Sequence, residues 1–292
     1  MPPRKIRLTR KRLEWAEPRK AILKGERLAP YSAATASKYQ AQLDRLISQM
    51  QREYNREIRK LFRQHADEGS ALAMDASLAS QARILFNFLG SKWAKLFASR
   101  AAGMTERMID GASMASKQSL GESLKKISGG ITIKVPDMPA GLQEAVTAAT
   151  AENVGLIKSI PQQYGERISQ LVLRSVATGG QGSAEIFEGI KHYDGLTEKR
   201  AKFIATDQTT KIQVIMNVER AKSVGMKRFQ WIHSGGGASV REMHVEMDGK
   251  IYDYADPPVI GPNGERGFPG QLPRRRCVMA PVLELGDAED TQ

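Results

Sequence analysis

From Tyr39 to Phe62 the apolar residues return at steps of three and four: Tyr39, Leu43, Leu46, Ile47, Met50, Tyr54, Ile58, Leu61 and Phe62. That period places them on one face of a helix over residues 37–64. Arg45, Arg52, Arg56, Arg59, Lys60 and Arg63 fall largely off this stripe, so the rest of the helix is strongly basic. The same kind of spacing predicts helices over 78–99 and 105–127, punctuated by Gly103 and by the pair Gly129–Gly130. Ile131 to Val135, ITIKV, alternates with period two between Gly-Gly and Pro136 and predicts a short strand. Helices resume over 141–159 and, after Pro161, to about Thr178. Another starts at Ser183, with Ile186, Phe187 and Ile190 on one side, and Thr197 has the character of an N-cap for a long helix ending near Gly225.

After Gly225 the pattern shortens. RFQWIH reads as a strand, Gly235, Gly236 and Gly237 break the chain, and a short helix is expected around Val240 to Met247. A turn at Asp248–Gly249, a strand at KIYDY, a Gly/Pro-rich loop over Pro257 to Pro273 and a last strand at VMAPVLEL follow. The pattern therefore predicts an α+β protein: a mainly helical N-terminal domain, then a small mixed α/β, loop-rich C-terminal module, with the change near residues 183–195. No internal repeat is visible.

Composition narrows the class. Hydrophobic residues make up 41% of the 292 positions and aromatics only 6%, so the core should be mainly aliphatic. The single cysteine, Cys277, excludes an intrachain disulfide and would need three other ligands to hold zinc. No window approaches the roughly 18 apolar residues of a membrane span, so a soluble protein made in the cytoplasm, without membrane contact, is expected. The net charge is +12, and residues 1–27 hold ten Lys/Arg against three Glu, which is +7 of it. The last nine residues carry four acids and no base. Residues 1–30 thus read as a basic arm, 31–190 as the helical domain, 191–285 as the C-terminal module and 286–292 as an acidic tail.

The order of residues late in the chain is more informative than any of these quantities. The helix RAKFIATDQTTKIQVIMNVERAKSVGM leads into FQWIHSGGGASVREMH, then MDGKIY, DPPVIGPNGERGFPG and RRRCVMAPV. This series resembles the Mu F-like minor head, or head morphogenesis, proteins of tailed phages. The positions that carry the resemblance are Asp207, Gln208, Lys211, Trp231, His233, Arg241, His244, Gly249, Pro257, Pro258, Pro269, Gly270, Arg276 and Cys277. It is strongest over 196–281 and weaker upstream. Where such proteins commonly end this block Cys-Arg-Cys, the chain has Arg275-Arg276-Cys277, so a role shared by two thiols is absent. The resemblance implies a virion component inside the head, associated with the portal protein and the capsid interior, assisting head assembly, DNA packaging or DNA delivery. It implies no enzyme activity and no cofactor.

The residues themselves leave two other matters to weigh. His244 and Asp248, at i and i+4 with His233 and Cys277 in the same block, have the makings of a metal or acid–base site, and a metal-assisted nuclease or transferase is the alternative reading. A shortage of convergent acids and histidines favours a His244 that only hydrogen-bonds backbone, with no catalytic or metal role. Arg4, Lys5, Arg7, Arg10, Lys11 and Arg12 in the arm, with Arg52, Arg56, Arg59 and Lys60 on the first long helix, are the candidate contacts to double-stranded DNA, binding phosphates without reading sequence. Docking of the arm on an acidic protein surface stands beside that reading.

Overall fold

The computed structural model describes residues 21–66, 71–177, 183–233, 242–272 and 277–285. In order these form strand β1 (Ala21–Lys24), helices α1 (Ala33–Ala66), α2 (Ala71–Ile127), α3 (Ala140–Ala177) and α4 (Ser183–Ser223), strand β2 (Arg228–Ile232), the short helix α5 (Glu242–Glu246), and strands β3 (Ile251–Asp253) and β4 (Val278–Leu285). The class is α+β, with the four long helices packed as one body and a single small sheet beside them.

Helix α1 begins where Ser32 caps it, the Ser32 Oγ accepting from the Thr35 N–H at 3.2 Å. Tyr39, Leu43, Ile47, Met50, Tyr54, Ile58 and Leu61 are all buried, and Leu46 and Phe62 pack partly against the same core. One buried polar bridge ties three helices together. Tyr39 Oη donates to Asn153 Oδ1 at 2.9 Å, and Asn153 Nδ2 donates to Thr105 Oγ1 at 2.8 Å.

Three expected breaks do not occur. Helix α2 runs unbroken through Gly103, so the two expected helices are one, about 85 Å long at 1.5 Å per residue. A helical glycine costs about 1 kcal/mol relative to alanine, and the buried Ala101, Met104 and Thr105 around it hold the helix on the core. Likewise α3 continues through Pro161, which costs roughly 3 kcal/mol. Ile157, Ile160, Tyr164 and Ile168, all buried, offset that loss. Thr197 is not an N-cap: it lies buried inside α4, its hydroxyl donating back to the Tyr193 carbonyl at 2.8 Å. Two helices end at glycine. Gly129 (φ 69°) closes α2 and Gly225 (φ 83°) closes α4, each in a paired bond pattern such as Met226 N–H to Ala221 O and Gly225 N–H to Lys222 O.

Residues 131–135 do not form the expected strand. The alternation is there, but no neighbouring strand pairs with it; Ile131 and Ile133 are exposed and only Val135 is buried. The sheet is antiparallel throughout, in the order β1-β4-β2-β3. Its first strand was unforeseen: residues 21–24 lie within the stretch read as an arm, yet they pair with 282–285.

Two apolar clusters result. The larger joins α1 to α4; the smaller lies between the sheet, the C-terminal end of α2 and the second half of α4, with Phe229, Trp231, Leu124 and Val218 in it. Helix α4 supplies both, Ile204 and Ile212 to the first and Val214 and Val218 to the second.

Candidate functional site

The described residues singled out from the sequence collect in three places. The first is the inner face of the sheet. Strand β2 alternates, so Phe229 and Trp231 point inward and are fully buried. Trp231 meets His244 of α5 edge-on, with ring centroids 5.2 Å apart. His244 Nε2 lies 3.0 Å from the Ile260 carbonyl oxygen. A carbonyl only accepts, so this nitrogen carries the hydrogen. The other nitrogen, Nδ1, is 3.7 Å from Cys277 Sγ, and His233 Nδ1 is 3.5 Å from the same sulfur. The cysteine is buried at the start of β4. Two histidines, from the end of β2 and from α5, therefore meet at the Cys277 sulfur.

Asp248 has a different partner. Its Oδ1 accepts from the His233 main-chain N–H at 2.8 Å, which fixes the entry to the turn. Gly249 in that turn has φ 75°, a conformation costly for residues with a Cβ. Gly270 has φ 84°, and a Cβ there would lie 3.3 Å from both the Cys277 carbonyl and Val214 of α4. Here glycine lets the loop press against the helix, beside the buried Pro269. Among the described residues, no three His, Cys, Asp or Glu side chains are arranged to hold a metal ion.

The second place is a polar station on α4. Lys211 Nζ is 3.1 Å from Asp207 Oδ2, one turn earlier, and 3.2 Å from Glu152 Oε1 of α3. Gln208 Nε2 also donates to Glu152 Oε1, at 3.1 Å. Burial pulls the Lys211 ammonium toward its neutral form, but the two carboxylates outweigh it and hold its pKa above the ordinary 10.5. The station flanks a cleft of about 460 Å³ between α3, α4 and the 260–272 loop.

The third is the outer face of α1. Arg45, Arg52, Arg56, Arg59, Lys60 and Arg63 are all exposed, opposite the buried stripe. Arg56 is partly engaged by Glu57 (2.8 Å) and Glu53 (3.5 Å), and Glu53 also receives Lys92 at 2.6 Å. The Arg59 guanidinium sits 4.0 Å above the Phe187 ring. Arg4, Lys5, Arg7, Arg10, Lys11, Arg12, Arg241 and Arg276, like Gly235 to Gly237, lie outside the described residues.

A further set of residues was not singled out from the sequence. Gln213, Asn217 and Arg220 form a buried polar line on α4. Gln213 Nε2 and Asn217 Nδ2 both donate to the Ala29 carbonyl, at 3.0 and 3.2 Å. Ala29 N–H donates to Ser119 Oγ at 2.8 Å and Ser123 Oγ to the Glu26 carbonyl at 3.0 Å. Residues 25–29 are thereby strapped across α2 and α4. Arg220, fully buried, donates to the carbonyls of Ser113 (2.9 Å), Pro136 (3.2 Å) and Asp137 (2.8 Å) and to Ser113 Oγ (2.6 Å). The signal was available: polar residues three and four apart inside the apolar run that starts at Ile212.

Among the described residues, a helical body carries a small antiparallel sheet, with Trp231, His233, His244 and Cys277 grouped beside it. Residues 166–280 match the family described as Phage Mu protein F like protein. An uncharacterized protein of Haemophilus influenzae is 38% identical over 143 residues, which cover 49% of this chain and 30% of that protein. The chain thus spans less than a third of that relative's length. No solved structure matches it.

Proposed function

We propose that this chain is a minor head component of a tailed phage that acts in head morphogenesis. In this reading it works inside the capsid beside the portal protein and assists head assembly, DNA packaging or DNA delivery. Its basic arm and the outer face of α1 lie against packaged double-stranded DNA. The observation that carries the reading is the Mu F-like match over 166–280. The DNA contact is supported by the charge: the outer face of α1 sets a row of exposed cations opposite its core stripe. Such a row neutralises phosphates and releases counterions without reading bases.

Two measurements test this. Mass spectrometry of purified phage particles should find the protein, and its absence from the virion would sink the structural role. In a gel-shift titration the affinity for duplex DNA should fall steeply with salt. Replacing Arg52, Arg56, Arg59 and Lys60 by Gln should make the slope of log affinity against log salt shallower by about 3.6, at roughly 0.9 for each of four phosphate contacts. A flat salt response of the unaltered protein would remove DNA from the proposal. Metal-dependent nicking of plasmid DNA by the purified protein would favour the nuclease alternative instead.

A further inference from the structure

Along the outer side of α2, Ile84 and Phe88 are 70% and 61% exposed. Further along the same stripe the residues become small: Ser91, Ala94 and Ala98, all exposed as well. With Asn87 and Lys95, also exposed, these positions recur at steps of three and four and form one face of the helix. Their spacing is symmetric. Ile84 and Ala98 each stand seven positions from Ser91, Asn87 and Lys95 four, Phe88 and Ala94 three. Large side chains occupy one half and small ones the other, a pattern that complements itself when two such helices run antiparallel.

The small residues also form one wall of a groove. Gly90, Ser91, Ala94 and Ala98 of α2 line it with Pro161 and Gly165 of α3, around a cavity of about 630 Å³. An unmade hydrogen bond lies beneath it. Tyr54 is fully buried, and its Oη has no partner among the described residues. A Cβ on Gly165 would stand 2.9 Å from that oxygen, so only a residue without a side chain separates the hydroxyl from the groove.

We infer that this face is an interface between two copies of this chain, with α2 packed antiparallel on α2 about a two-fold axis at Ser91. An isologous contact sets residue i against j and j against i. Phe88 of each copy then fills the space over Ala94 of the other, and Ile84 the space over Ala98. The small residues let the axes approach to about 8 Å, the close end of helix packing. A parallel pair would set Phe88 against Phe88 and leave Ala94 facing Ala94 across a void. Charge permits the antiparallel pair: Lys95 meets the Asn87 amide, and the two Lys95 stand eight positions, about 12 Å along the axis, apart. Asn87 and Ser91 of the second copy bring to the groove the polar groups that the Tyr54 hydroxyl lacks.

Sedimentation equilibrium of the full chain should find a dimer. The variant I84E/F88E should weaken association roughly 100-fold or more, the transfer free energy of one Ile and one Phe side chain, with an unchanged circular dichroism spectrum because both residues are exposed. Disulfide formation reads the geometry. Under mild oxidation Ser91→Cys should link two chains, since the axis sets position 91 against itself; Ser99→Cys should not, because its two copies would stand about 24 Å apart along the axis. Cys277 is buried and does not compete. A chain that stays monomeric at every concentration would overturn the inference, as would a dimer that I84E/F88E leaves intact. A dimer that Ser91→Cys fails to link, or that Ser99→Cys links equally well, would overturn the two-fold at Ser91.

Discussion

Arg220 joins α4 to α2 and to the 136–137 loop through four hydrogen bonds, and replacing it with methionine measures how much that junction contributes. Methionine keeps most of the volume and the flexible stem but has no donor. Four charge-assisted hydrogen bonds are lost, to three carbonyls and one hydroxyl. At roughly 1.5–3 kcal/mol each, the gross loss is about 6–12 kcal/mol. Removing a fully buried cation gives back several kcal/mol of desolvation. Burial is what pulls the Arg220 pKa below its ordinary value, with Asp137 pulling it back up. Water also reaches Asp137, which is exposed, and so rehydrates part of what the arginine leaves. The net cost of Arg220→Met should be about 3–5 kcal/mol, or a fall of roughly 5–8 °C in Tm for a chain of this size. Arg220→Lys keeps the charge, but one nitrogen does not span acceptors on α2 and on the 136–137 loop, so it should recover less than half of the loss. Urea denaturation followed by circular dichroism reads both. A Met variant within 1 kcal/mol of the parent would refute the view that these bonds hold the junction.

Two further outcomes follow from buried groups. Burial raises the Asp194 pKa above 3.8, only partly opposed by hydrogen bonds from Tyr164 and Asn55. The folded state therefore holds this proton more tightly than the unfolded chain, and Asp194 makes stability fall as pH rises from 3.8 through its raised folded value; Asp194→Asn should flatten that part of a stability-against-pH curve, and an unchanged curve would contradict it. Cys277 is buried, so a thiol reagent should report close to no reactive sulfhydryl in the native protein and one per chain in denaturant; immediate native labelling would show that the sheet does not seal it.

Much of this was legible in the sequence, and the failures share a cause. The stripe of α1 stood out because one face is fully buried and the opposite one is charged. The strand endings of β2 and β4 stood out because glycine, proline and alternation mark them. Gly103, Pro161 and Thr197 misled because each is a local signal, worth about 1–3 kcal/mol, set against tertiary packing that spans several turns. Residues 131–135 misled in the opposite way: alternation describes one strand, whereas a ladder needs two. Strand β1 was hidden because its partner lies some 260 residues away, and its exposed Ile22 and Leu23 sit inside a run whose charge dominates its appearance. At the candidate site, which groups touch was not readable. The meeting of His233 and His244 on Cys277 depends on a sheet order that brings β4 between β1 and β2.

Helix α4 is a wall shared by two rooms. One set of its residues lines the helical core and another lines the core under the sheet, and the change between them falls within Ile212 to Met216, less than two turns. Neither core opens fully without unravelling the other's wall, so a disturbance at the sheet reaches the helices through continuous backbone rather than across a hinge. A sequence drifting at this helix must satisfy both neighbours at once, and a cut made near residue 190 would leave half of that wall without its chain.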